Sequence, residues 1–271
     1  MSSRRPTTHL RLQALEGRET PAAFGEAWLD GQHVTLSFAP EGTPILGVGS
    51  SLGSLLGPLG LANAKHDILK AFQTWAAHSN LNVGIVADTG AAYDATGALQ
   101  HDPRYGDIRI AARALAADIL ALTSPSGPWS SNSGDILLNT DKPFSLDGAA
   151  GTFDLFSVFL QEGGHAFGIG NSTDPGSAMY EVYGGVRVGL TAGDVAAVQA
   201  LYGSRKGDAF EGATGNDTQA TATKLTGAVE ADITTTADAD WYSFTTHFTA
   251  SWSDSERSAF YSGTATRVYG F

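Results

Sequence analysis

The sequence predicts an α+β domain, a twisted mixed sheet backed by about three helices, followed by a shorter β segment. Three observations lead there. Residues 62–78 place Ile68, Phe72 and Trp75 on one face, with Ala64, Leu69 and Ala71 widening it, which is the 3.6-residue period of an amphipathic helix. Short apolar runs at 81–87, 106–111, 119–123 and 135–139 read as strands. Two further helical patterns, 154–168 and 191–201, come after the strands, the order of an α+β rather than an α/β chain.

Each element has its own local reason. Residues 28–38 contain Asp30-Gly31 and then alternate Val34, Leu36 and Phe38, a pattern that predicts a hairpin. Residues 47–60 are rich in Gly, Ser and Leu. They are expected to form a loop, because each glycine in a helix costs about 1 kcal/mol relative to alanine. In 106–111, Ile108 and Ile110 face one way, and in 154–168, Leu155, Val158 and Phe159 face the core. Thr191 followed by Asp194 is a helix start signal, and Tyr202-Gly203 closes that helix.

Composition bounds the partners. The 271 residues, 42% of them hydrophobic and 33 of them glycine, suit one well-cored, turn-rich domain with a smaller companion. A net charge of −12 disfavours nucleic acid and anionic membranes as partners. No run of about 18 apolar residues exists, so no membrane span is expected, and the chain is expected to be a monomer. The sequence has no cysteine, which excludes disulfides, a thiolate metal site and a catalytic thiol. Asp102, Asp107, Asp135 and Asp141 are candidate calcium ligands, since carboxylate oxygens suit that ion.

The chemistry concentrates in Gln161-Glu162-Gly163-Gly164-His165-Ala166-Phe167-Gly168-Ile169-Gly170-Asn171, with Met179-Tyr180 downstream. The spacing is that of H-E-x-x-H-x-x-G-x-x-H with a later Met-turn, but carboxamides stand at the first and third histidine positions. On a helix, positions 161 and 165 share a face. Imidazoles at both would converge on one zinc, and Glu162 beside them would take a proton from a metal-bound water. A carboxamide oxygen is a weak donor for zinc.

Together with the frame around it, the motif resembles the matrixin branch of the metzincins. The matching segments are residues 154–158, Ser172, the Met179-Tyr180 pair, Leu190-Thr191 through Leu201-Tyr202-Gly203, the helix at 71–75, and Gly106-Asp107-Ile108-Arg109-Ile110 with Gly134-Asp135-Ile136. The resemblance covers about residues 28–203, and the domain is expected over residues 25–203. It implies a secreted zinc metalloendopeptidase acting on protein or peptide. Glu162 would be the general base, His165 the second zinc ligand, Gln161 and Asn171 degenerate ligand positions, Gly168 the turn glycine and Met179 the Met-turn. Asp174 is a candidate replacement ligand, His78 and His101 more distant ones. Residues 112–123 hold no histidine for a structural zinc site. Strand 119–123 would be the edge on which an extended substrate pairs. The alternative is a pseudopeptidase that binds a peptide without cutting it; a decaying gene is a third reading.

Residues 1–24 read as a leader or disordered segment, and Leu10 through Ala22 resembles a short leader found on exported proteins of planctomycete-type bacteria, which implies secretion or a cell-surface location. Residues 204–207 read as a linker. Residues 208–246 resemble the start of the bacterial pre-peptidase C-terminal domain, a β-sandwich here only partial. The tail 247–271 shows no strand alternation and is expected to be a frameshifted or truncated end.

Overall fold

The computed structural model describes residues 24–93, 95–127, 130–207, 209–210, 215–226 and 239–244. The leader before Phe24 and the tail at 247–271 lie outside the described residues. After a 3-10 turn at Gly31–His33, the elements in chain order are β1 (Val34–Phe38), β2 (Pro44–Ile45), β3 (Val48–Gly49), α1 (Leu52–Leu56), α2 (Leu61–Ala76), β4 (Val83–Ile85), β5 (Ile108–Arg113), β6 (Ala121–Thr123), β7 (Ile136–Asn139), β8 (Phe144–Ser145), β9 (Phe153–Asp154), α3 (Leu155–Ala166), α4 (Ala192–Tyr202), β10 (Thr223–Leu225) and β11 (Tyr242–Phe244). Five strands form one mixed sheet in the order β4-β1-β5-β7-β6. All neighbours run parallel except the edge pair β6–β7, which is antiparallel.

The predicted helices and strands sit where periodicity placed them, and the mixed α+β architecture is that expected. Ile68, Phe72 and Trp75 of α2 are fully buried and join Leu155, Val158 and Phe159 of α3 in one core. Trp75 fixes the two helices by donating from Nε1 to the Leu160 carbonyl at 2.8 Å. Helix α4 opens with a complete capping box, Thr191 and Asp194 each satisfying the other's backbone N–H. It ends at Gly203, whose φ of +79° favours glycine.

Two expectations are corrected. Residues 28–38 do not form a hairpin: β1 pairs in parallel with β4 on one side and β5 on the other. Its alternation reflects a central strand with both neighbours supplied from far along the chain. Residues 47–60 are not wholly loop either. Leu52 and Leu56 are buried on one side of α1, so tertiary burial offsets the glycine cost over this short turn of helix.

The described residues divide into two compact units, one ending at Arg205 and one beginning at Lys206. In the second, β10 and β11 pair in parallel, and Asn216 donates from Nδ2 to the Trp241 carbonyl. Among the described residues no helix is long and apolar enough to cross a membrane.

Candidate active site

The site forms where α3 faces the edge strand β6. Asp154 caps the helix by accepting from the Ser157 N–H at 2.9 Å, and α3 runs to Ala166 with most of its side chains buried. The chain then leaves through Gly168 at φ +93°, a left-handed conformation that costs a Cβ-bearing residue strain. This exit brings Asn171 back beside the helix. Gln161, Glu162, His165 and Asn171 all line one open groove of about 770 Å³. Thr123, Leu122 and Ala121 form one wall, and Phe153, Val182 and Tyr183 contribute elsewhere.

Glu162 is buried, and its Oε2 accepts from the Thr123 hydroxyl at 2.5 Å. Burial raises its carboxyl to about 7, and the Thr123 bond opposes that only in part. His165 is also buried. Its Nδ1 lies 2.8 Å from the Ile169 carbonyl oxygen, which can only accept, so Nδ1 carries the proton. The Asn171 side chain lies close enough to the imidazole to favour its protonated form. Burial lowers the imidazole from its ordinary value, against the smaller opposing effect of these two neighbours.

Met179 is fully buried beneath α3. A Cβ at Gly164 would stand 2.2 Å from Met179 Sδ and 2.8 Å from Trp75 Cζ2, so glycine is what lets the methionine lie against the helix. Met179 is held by its N–H donating to Ser177 Oγ at 2.9 Å, and the Ala178 N–H donates to Asp194 Oδ2 at 2.9 Å.

The residues present do not fit a zinc ion. Among the described residues one imidazole lines the groove, and the groups beside it at 161 and 171 are carboxamides, whose oxygens are weak donors for zinc. Among the described residues no group of three His, Cys, Asp or Glu side chains could hold a metal. The candidate replacement Asp174 is turned to its own loop, accepting from the Gly176 N–H at 2.8 Å. His78 and His101 do not line the groove. The calcium candidates lie apart from one another: Asp102 pairs with Arg104 at 2.8 Å, Asp107 accepts from Thr35, Asp135 accepts from the Arg109 N–H, and Asp141 is exposed in a turn.

Sequence reasoning missed two residues of the site. Thr123 was assigned to a strand without its contact to Glu162. Phe24 fell in the segment read as leader, yet its ring lies 4.5 Å from that of His165, centroid to centroid. The free edge of β6 is the remaining feature. Ser124 N–H donates to Asp135 O and Asn139 N–H to Leu120 O, so alternate residues Ala121 and Thr123 turn their backbone groups outward.

A mixed sheet with one antiparallel edge strand above a buried Glu and His on a helix defines a metallopeptidase-type domain. The matrixin family model matches residues 57–203, more than half of the chain, and the chain belongs to that family of metalloproteinases. It is 40% identical over 81 residues to a probable matrix metalloproteinase, 095L, of Invertebrate iridescent virus 3, covering 29% of this chain and 22% of that protein. It is 46% identical over 57 residues to human matrix metalloproteinase-20, covering 20% of this chain and 12% of the relative. The matched part is thus under a quarter of either relative's length.

Proposed function

We propose that this chain is an exported matrixin-type protein whose groove binds an extended peptide, with peptide hydrolysis impaired by Gln161 and Asn171. The peptide would add to the sheet as an antiparallel strand on the outward backbone groups of Ala121 and Thr123, the usual chemistry of strand addition. Gly168 and Met179 keep the groove's shape. The observation that carries the impairment is that Gln161 and Asn171 line the groove beside the single imidazole of His165, so carboxamides stand where a zinc ion would need two further strong donors. Export rests on the leader resemblance.

One observation favours the other reading, a working endopeptidase with Glu162 as general base. A carboxyl at about 7 is near the value at which such a base operates best at neutral pH. Metal analysis decides between them. The purified chain is expected to carry no stoichiometric zinc at micromolar free zinc and to leave an unstructured protein uncut. Gln161→His with Asn171→His is expected to take up one zinc and to gain cleavage. Stoichiometric zinc in the unaltered chain, lost in His165→Ala, would establish the enzyme instead.

A further inference from the structure

We propose that the groove-facing side of the His165 ring is a subsite for an aromatic side chain, and that this chain fills it in cis with its own Phe24. The proposal rests on the peptide-groove reading above and names the residue class that groove selects.

The imidazole is fixed in orientation from one side. One ring nitrogen is held by the Ile169 carbonyl at 2.8 Å, and the Asn171 carboxamide lines the groove beside the ring. The ring's π face is open to an aromatic neighbour. Phe24 covers it at 4.5 Å with the planes 40° apart, inside the range of favourable aromatic pairs.

Phe24 is also fixed in place by the backbone around it. Its N–H donates to the Gly168 carbonyl at 2.9 Å, and the Glu26 N–H donates to Ser126 O at 2.9 Å. Ser126 Oγ in turn donates to the Glu26 carbonyl at 2.8 Å. Between them, Gly25 lies so flat that a Cβ there would stand 2.3 Å from Ser126 O. Phe24 lines the same groove as Gln161, Glu162 and Leu122, so it stands where a ligand's side chain would go. A phenylalanine or tyrosine of an incoming peptide gains the same stacking only when Phe24 moves aside.

The test uses the full chain, with Phe24→Ala and Phe24→Leu variants. The probe is a fluorescein-labelled, end-blocked peptide Ala-Ala-Phe-Gly-Glu-Ala, and its counterpart has alanine in place of phenylalanine. Anisotropy titration is expected to show Phe24→Ala binding the phenylalanine peptide about tenfold tighter than the unaltered chain does, with no such gain for the alanine peptide. Phe24→Leu keeps bulk without the aromatic face and is expected to gain about threefold, which decides the matter if Phe24→Ala does not fold. Equal affinity in all three proteins overturns the proposal and leaves the groove reading standing. An equal gain for both peptides overturns it too, since that shows only an opened groove. No binding of either peptide to any of the proteins overturns both.

Discussion

At Glu162 two local effects oppose each other. Burial disfavours the carboxylate, the Thr123 hydroxyl favours it, and burial wins, leaving the group at about 7 against an ordinary 4.5. The folded state therefore holds a proton that the unfolded chain has lost. Stability from this group is full below about pH 4.5 and declines as pH rises to about 7, by roughly 3 kcal/mol when complete. Glu162→Gln keeps a partner for Thr123 and removes the charge, so urea midpoints of the variant and the unaltered chain are expected to diverge in the variant's favour between pH 5 and 8. His165 has the opposite sign. Its lowered value means that stability is lost as pH falls below about 6.5, and His165→Leu is expected to flatten that side of the profile. Gly164→Ala belongs to the same scale. Its Cβ meets the rigid Trp75 ring as well as Met179, and overpacking of this kind costs about 1–3 kcal/mol, measurable by thermal unfolding.

Elements differ in how much of their cause is local. Helix α4 is specified within four residues: Thr191 and Asp194 satisfy each other's backbone groups, and Asp194 also holds the Met179 turn through Ser177 and Ala178. Thr191→Ala is expected to cost about 1 kcal/mol. Asp194→Ala should cost more, because it also strips the buried Ser177 hydroxyl of its partner; equal losses in the two variants would argue against that second duty. Helices α2 and α3 were legible from periodicity because their apolar faces repeat at helical spacing. Strand β1 was misread because alternation reports which face is buried and carries no information about which strand lies alongside. Arg109 shows the same limit. In sequence it is a polar residue alternating with isoleucines, yet it is 1% exposed, paired with Asp88 at 2.9 Å and stacked over Tyr105 at 4.3 Å. That partner lies 21 residues away and no spacing rule announces it.

For the whole molecule, zinc is the informative ligand, because a ligand that binds only the folded chain raises its melting temperature by mass action. The unaltered chain is expected to melt at the same temperature in EDTA and in 0.1 mM zinc. The variant with histidines at both 161 and 171 is expected to melt higher in zinc, by several degrees if its dissociation constant is micromolar or below. A zinc-dependent shift in the unaltered chain, absent from His165→Ala, would contradict the reading that carboxamides at 161 and 171 leave no zinc site.

The amino-acid order alone determined the family frame, the helices and most strands, and the presence of Glu162, His165, Gly168 and Met179 at a metallopeptidase's spacing. These depend on contacts within one turn or one alternation, or on a linear motif. Tertiary structure alone decided how the site's groups are spent. Asn171 returns to the groove beside His165, Thr123 reaches Glu162 from a strand 39 residues away, and Phe24 covers the imidazole. Each of those contacts joins segments that only the folded core brings together, because buried polar groups and ring faces must find partners wherever packing supplies them.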